Sequence, residues 1–293
     1  HNVIYEYKGM VPVGATDLST YQLSDVSYGT SVKVADPAKA AGYVFSGWTL
    51  VEPISTPVAD GKFVMPDSDV VLVGSFEART NNQYRVEYYW QNTTDDGFTL
   101  YETDTYNNGV TGATVYALEK TYPGLKLDTK VTGTKDNGIV TPDNQLVLKL
   151  YYIRNTYTVE YKYESDVTGA PALPTTQTYR FGQTVSVAAD AVLTNYDFVG
   201  WHTKAGAAVT VTATAVSFTM PAANVTLYGE FFAKKNVPFT VEHYLETGSG
   251  YTLEITDTFA GVAGSVVKAD DYKRLFAGHT YDPAVAGSVT QGA

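Results

Sequence analysis

Small β-rich modules repeated in tandem are the fold class this chain predicts, and three observations carry the prediction. The composition suits strands: 44% of residues are hydrophobic and 13% aromatic, with 24 Tyr against 12 Phe and 3 Trp. Tyr, Thr and Val fit a pleated, half-buried surface. Short runs alternate strictly, as in Val3, Tyr5, Tyr7 and Val159, Tyr161, Tyr163, which is the period of a strand with one face buried. Finally, the chain repeats itself. Its 293 residues suggest about two domains from length alone, and the internal repeats raise that number to four.

Residues 1–78 and 156–233 are two copies of one pattern, called A. Val3-Ile4-Tyr5-Glu6-Tyr7 corresponds to Val159-Glu160-Tyr161-Lys162-Tyr163, and Tyr28-Gly29 to Phe181-Gly182. Tyr43-Val44-Phe45-Ser46-Gly47-Trp48 returns as Tyr196-Asp197-Phe198-Val199-Gly200-Trp201. Phe63-Val64-Met65-Pro66, followed by Val70, Leu72, Gly74 and Phe76, returns as Phe218-Thr219-Met220-Pro221, followed by Val225, Leu227, Gly229 and Phe231. The offset stays between 153 and 156 throughout. Pro66 and Pro221 set a turn before a final Val-x-Leu-x-Gly-x-Phe strand. Asp36–Ala41, with Pro37 early and Gly42 closing it, predicts one or two helical turns.

Residues 83–153 and 238–293 form a second pair, called B. Val86-Glu87-Tyr88-Tyr89 matches Val241-Glu242-His243-Tyr244, and Thr103-Asp104-Thr105 matches Thr256-Asp257-Thr258. Gly112, Gly124, Asp128 and Gly133 match Gly264, Gly278, Asp282 and Gly287. Asn108-Gly109 and Asn137-Gly138 predict tight turns, and Asp270–Phe276 predicts a short helical turn. Leu146–Tyr152 reads as the closing strand of the first B module. It has no counterpart before Ala293, so the last sheet is expected to lack one strand, through truncation or through a strand supplied by a neighbouring subunit. The joints, Ala78–Gln83, Arg154–Thr156 and Ala233–Pro238, are short and poor in Gly and Ser, which predicts limited bending between modules.

These residues resemble known families. The A pattern, with its Gly-Trp and Met-Pro steps, resembles the Listeria–Bacteroides repeat of the internalin B-repeat type. The B pattern is similar to MucBP-like repeats, on Val-x-Tyr-Tyr, a central Gly-x-x-Val, Tyr122-Pro123-Gly124 and the Leu150-Tyr151-Tyr152 end. The resemblance implies small β-grasp-like modules in an A–B–A–B order, displayed on an extracellular bacterial surface and attached to the cell wall through regions outside this chain. It implies adhesion or spacing rather than catalysis.

The residues themselves point away from chemistry. With 20 Lys+Arg against 31 Asp+Glu, the net charge is −11, the wrong sign for neutralising phosphates, so no nucleic-acid partner is expected. The absence of Cys removes disulfides, thiolate metal sites and Cys nucleophiles. No apolar run approaches the roughly 18 residues that span a bilayer, so no membrane insertion is expected. His1, His202, His243 and His279 match no zinc spacing, and neither a nucleophile elbow nor a phosphate loop is present. No catalytic residue, cofactor or metal site is expected. Asp67, Asp69, Asp95 and Asp96 read as solvated turn carboxylates, because calcium needs a clustered loop of six to eight oxygens.

Trp48 and Trp201 recur at one place in both A copies and read as core plugs. Trp90 stands apart, since its counterpart is Leu245, and with Tyr88 and Tyr89 it forms the candidate ligand-binding group. The favoured function is therefore a non-enzymatic stalk in a large surface protein or adhesin. A strand of about eight residues spans roughly 26 Å, so four modules in line reach on the order of 100–150 Å. The alternatives are recognition of glycans or mucin, as accessory modules of a secreted polysaccharide-degrading enzyme for example, and a filament subunit that binds copies of itself.

Overall fold

The computed structural model describes residues 1–285, 288–289 and 291–292; Gly287, the expected counterpart of Gly133, lies outside the described residues. The chain divides into two units, His1–Arg154 and Asn155–Ala293, each containing one A and one B segment. The described residues are mainly β, as expected. They contain no α-helix, only single 3₁₀ turns at Leu18–Thr20 and Ala269–Tyr272.

The A segment of the first unit comprises β1 (Val3–Tyr7), β2 (Ser31–Lys33), β3 (Tyr43–Phe45), β4 (Thr49–Glu52), β5 (Lys62–Val64), β6 (Val70–Gly74) and β7 (Phe76–Ala78). β1 runs parallel to β6, and β4 pairs antiparallel on the other side of β6. The register sets Val3 opposite Val70 and Tyr5 opposite Leu72, so the two alternating runs turn their apolar residues to one face. These four residues, with Val32, Phe63 and Met65, form the core. The Met-Pro step has a structural reason. Met65 is fully buried and is held by the Gly29 amide donating to its carbonyl at 2.9 Å, while its own amide donates to Thr30 O at 2.9 Å. Gly29 reaches that position with a φ of 81°, in the left-handed region that favours glycine.

Two sequence expectations fail in this segment. Val70–Phe76 is not one strand but breaks at Ser75, and β7 pairs with β3 in a separate ladder. Gly74 lies against the Phe45 ring, where an added Cβ would come within 2.2 Å, and Ser75 exchanges hydrogen bonds with Ser46 as the chain turns away. Residues 36–41 form no helix. Thr16 holds this stretch extended, donating its amide to Lys39 O at 3.0 Å and accepting the Lys39 amide on Oγ1 at 2.8 Å. Asp36 O accepts the Trp48 indole N–H at 3.2 Å. Burial of Ala38 among these partners outweighs its helix propensity.

The B segment of the first unit comprises β8 (Asn82–Gln91), β9 (Phe98–Gly109), β10 (Thr114–Tyr116), β11 (Leu125–Leu127), β12 (Asn137–Ile139) and β13 (Val147–Arg154). The sheet order is β11-β13-β8-β9, with β13 parallel to β8, and β10 pairs with β12. Val86, Tyr88, Leu148, Leu150 and Tyr152 are all buried on one face. Both Asn-Gly pairs lie inside strands rather than at turns. Close packing is the reason for these glycines: a Cβ on Gly109 would sit 2.9 Å from Asn82 O, and one on Gly138 would sit 2.7 Å from Leu146 Cδ1.

The second unit repeats the A plan. Its strands are β14 (Thr156–Tyr163), β15 (Gln177–Arg180), β16 (Thr184–Ser186), β17 (Tyr196–Phe198), β18 (Ser217–Thr219), β19 (Val225–Gly229) and β20 (Phe231–Ala233). β14 runs parallel to β19, with Val159 opposite Val225 and Tyr161 opposite Leu227. The core gathers these four residues with Val185, Trp201, Val211 and Met220. The B segment holds β21 (Val237–Thr247), β22 (Gly250–Gly261), β23 (Val267–Lys268) and β24 (Gln291–Gly292), paired as β21-β22 and β23-β24. The short helical turn expected over 270–276 is a 3₁₀ turn ending at Tyr272.

Candidate functional site

In each unit the short link between the A and B segments is a bonded joint. In the first, the Arg79 amide donates to Gly42 O at 2.9 Å and the Thr111 amide donates to Arg79 O at 2.9 Å. Asn82 and Thr111 are the buried polar side chains among the described residues, and both lie here. Asn82 Nδ2 donates to Thr111 Oγ1 at 2.9 Å, Gly109 O at 3.1 Å and Arg79 O at 3.2 Å, and Thr111 Oγ1 donates to Gly42 O at 2.8 Å. A Cβ on Gly42 would come within 2.7 Å of the Thr111 side chain and 2.8 Å of Pro142.

The second unit keeps the same backbone bonds. Lys234 N donates to Asn195 O at 2.9 Å and Ala263 N donates to Lys234 O at 2.9 Å. Val237 and Ala263 stand where the first unit has Asn82 and Thr111, so the polar side-chain clip is absent there. Gly112 and Gly264, paired by the repeat, lie 3.5 Å and 3.2 Å from the hydroxyls of Tyr43 and Tyr196 at an added Cβ. Their recurrence marks the joint in the sequence. Asn82 itself carried a weaker signal, a polar residue in the inward phase of Asn82, Tyr84, Val86 and Tyr88.

Tyr88, Tyr89 and Trp90 do not converge on one patch. Tyr88 is fully buried, so its place in the candidate ligand-binding group is corrected. Its hydroxyl bonds to Leu118 O at 2.9 Å and Asp104 Oδ2 at 3.2 Å. Burial pushes its pKa up, with the Asp104 charge adding to the effect. Tyr89 faces the opposite side of the strand, stacks on Tyr151 at 4.8 Å, and donates to Glu87 at 2.7 Å. That carboxylate, more than burial, raises its pKa to about 12. Trp90 is half-buried, with its ring stacked on Tyr101 at 3.5 Å and meeting the edge of Tyr122 at 5.1 Å. Beside it lies a hollow of about 450 Å³, lined among others by Asn92, Thr94, Thr99, Tyr101 and Arg154. Tyr101 is 53% exposed, and alternation alone did not single it out because β9 is polar along most of its length.

Under that face lies a polar cluster. Lys120 Nζ bonds Glu102 and Asp104, each at 2.8 Å, and sits 4.3 Å from the Tyr88 ring centroid. Tyr122 donates to Glu102. The Lys120 hydrogen bond holds the Glu102 carboxyl below its usual range. The second unit rebuilds the cluster with different residues: His243 Nε2 lies 3.2 Å from Asp257, whose carboxylate is paired with Arg274. That Arg274 hydrogen bond depresses the Asp257 pKa. His243, Asp257, Arg274 and Phe276 therefore occupy the places of Tyr88, Asp104, Lys120 and Tyr122. In both units the charges tie a loop to the sheet, and in the first the phenols of Tyr88 and Tyr122 stay protonated donors. Among the described residues no group of three or more His, Asp or Glu is placed to hold a metal, and no helix is long and apolar enough to cross a membrane.

Comparison with known proteins bears on the A segments. A family model described as the Listeria-Bacteroides repeat domain matches residues 1–74, and one described as the divergent InlB B-repeat domain matches residues 157–235. The stretches 83–153 and 238–293 lie outside both matches. No curated protein matches the chain. Among solved structures, Streptococcal High Identity Repeats in Tandem (SHIRT) domains 3-4 from a cell surface protein are 11% identical, covering 79% of this chain and 96% of that one. The TM-score is 0.18, too low for the superposition to carry an argument about this chain. The two A segments are thus matched as a Listeria–Bacteroides repeat domain and a divergent InlB B-repeat domain, domains typical of bacterial cell-surface proteins.

Proposed function

We propose that the chain is a non-enzymatic stalk of a large extracellular bacterial surface protein or adhesin, built from four modules in A–B–A–B order. The repeated A–B joint carries this reading: each unit binds its two segments through the same backbone hydrogen bonds instead of a Gly/Ser tether. A spacer needs such stiffness, because a flexible linker's mean reach grows only as the square root of its length, whereas bonded modules add reach in proportion. The net charge of −11 suits a soluble, non-adhesive shaft. We further infer that the modules are β-grasp-like, the B modules MucBP-like, and that regions outside this chain attach them to the cell wall. The parallel pairing of the first strand with a late strand (β1 with β6, β8 with β13, β14 with β19) supports the first of these inferences. Small-angle scattering from residues 1–293 is expected to give an elongated profile with a maximum dimension on the order of 100–150 Å. A globular profile would overturn the stalk.

A second reading, glycan recognition, is favoured by the hollow at Trp90. Sugar rings stack on aromatic faces, and Tyr101 offers an exposed face backed by Trp90 with Asn92, Thr94 and Thr99 nearby as polar partners. A glycan array including mucin O-glycans and plant polysaccharides tests it. This reading expects binding that drops about tenfold or more in Tyr101→Ala, with the thermal transition unchanged, and the same loss in Trp90→Ala. A blank array with folded protein removes it and leaves the stalk standing.

A further inference from the structure

The hollow at Trp90 is built from features that the second unit lacks. The β8-β9 and β21-β22 ladders carry a bulge at the same place. Tyr88 faces Glu102 and Tyr89 faces Leu100, which leaves Tyr101 unpaired; His243 faces Ile255 and Tyr244 faces Leu253, which leaves Glu254. A bulge re-aims the side chain of its extra residue. In the first unit that residue lies flat on the indole, with the ring planes 12° apart. In the second it is Glu254, and Leu245 stands in place of the indole. The strand connections differ as well. Residues 93–96 join Asn92 to Gly97, whereas Gly248-Ser249 alone join Thr247 to Gly250. The longer loop walls the hollow and is set by its own bonds. Asn92 Nδ2 and the Gly97 amide both donate to Asp95 Oδ1 at 2.7 Å, and Thr99 Oγ1 donates to Asn92 Oδ1 at 2.7 Å.

We propose that this hollow takes neutral β-linked hexopyranosides, and that the second unit is a non-binding copy of it. The proposal rests on the glycan reading of the hollow and narrows its ligand. A pyranose with equatorial substituents turns axial ring hydrogens to one flat face, and a β linkage keeps the next ring in nearly the same plane. Such a face suits the negative π surface of a flat aromatic platform. Tyr101, 53% exposed and backed by Trp90, is that platform. Gln91, Thr93 and Thr94 in the lining supply hydrogen-bonding groups for the hydroxyls at the ring edge. The volume of about 450 Å³ is within the range of small-ligand sites. Charge selects against acidic sugars. Arg154 and Asp95 are the charged residues of the lining. The Arg154 Nε already donates to Gln91 O, and its guanidinium lies 5.9 Å from the Trp90 ring centroid. A sugar carboxylate would have to compete for that group beside Asp95 and in the field of a chain of net charge −11.

The test is saturation-transfer NMR on the full chain with four sugars. Cellobiose and lactose are neutral and β-linked, maltose is the α-linked isomer of cellobiose, and cellobiouronic acid is its carboxylate counterpart. Cellobiose or lactose is expected to bind about tenfold or more tightly than maltose and the acid, with the axial ring hydrogens the most strongly saturated. Tyr101→Phe keeps the platform and should keep the binding. Tyr101→Glu, which copies the residue in the equivalent bulge of the second unit, and Tyr101→Ser should both abolish it with the thermal transition unchanged. Equal or tighter binding of maltose or of the acid overturns the proposal and leaves glycan recognition standing. Binding that survives in folded Tyr101→Glu and Tyr101→Ser places the sugar elsewhere and also overturns it. If neither cellobiose nor lactose binds, the proposal fails, and a blank glycan array then removes the broader reading with it.

Discussion

Trp201→Ala should destabilise the second A segment by about 3–5 kcal/mol, the usual cost of emptying a large aromatic site, whereas Trp48→Ala should cost about half as much. The two indoles sit in the same cage. Trp201 meets Tyr161 at 4.9 Å and Phe198 at 5.0 Å edge-on, stacks on Tyr163 at 5.7 Å, and donates to Ala189 O at 3.0 Å. Trp48 meets Tyr5 at 4.9 Å and Phe45 at 4.8 Å, stacks on Tyr7 at 5.9 Å, and donates to Asp36 O. The lid differs. Trp201 is 1% exposed beneath a loop in which Val211 is buried and Thr203 Oγ1 accepts the Val211 amide at 2.9 Å. The equivalent stretch of the first unit forms β4, which leaves Trp48 half-exposed. The cavity left at Trp201 is therefore enclosed on all sides, while water reaches the one at Trp48. Denaturant titration gives the total loss, and hydrogen exchange in β14 and β19 assigns it to the second A segment. Equal losses for the two variants would show that the lid contributes nothing. Since a small β segment commands only a few kcal/mol in all, the larger loss should leave it substantially unfolded at room temperature.

That contrast marks how far the sequence could be read. Alternation located β1 and β14, the apolar run Leu146–Tyr152 located β13, and the constant offset of the repeat located the Gly-Trp and Met-Pro core positions, because all three signals are local in the sequence. Misreadings arose where distant atoms decide the local structure. Residues 36–41 have helical punctuation, but Thr16, remote in sequence, claims the Lys39 amide and carbonyl. Asn108-Gly109 and Asn137-Gly138 look like turns, yet the glycines are there to let Val140 and Leu146 approach. Tyr88 looks like a ligand contact beside Trp90, but it points into the sheet that β13 covers. The joint was legible only as a short polar link. Its partners are main-chain carbonyls contributed by Gly42, Arg79 and Gly109, and backbone acceptors leave no residue-type signature.

Asn82→Ala should cost the first unit about 1–3 kcal/mol and loosen the A–B joint, because it strands buried acceptors that one amide group now satisfies. Asn82 is 4% exposed and Thr111 9%, so water replaces the lost donor poorly. Asn82→Asp should be worse than Ala: a carboxylate would face Gly109 O and Arg79 O with acceptors only. The second unit shows that the backbone bonds persist with Val237 and Ala263 in these places, so a double variant, Asn82→Val with Thr111→Ala, transplants that chemistry. It should be less damaging than the sum of its single changes, since removing Thr111 Oγ1 also removes one of the groups that Asn82 would otherwise leave unpaired. The chain has no Cys, so spin labels at Tyr28→Cys and Tyr116→Cys, both 73% exposed positions, report the two sides of the joint without competing sites. A broadened distance distribution in Asn82→Ala, partly narrowed again in the double variant, is the expected result. An unchanged width in Asn82→Ala would mean that the backbone bonds alone set the stiffness, and the polar clip would then be a stabilising feature of the first unit with no part in holding a shaft straight.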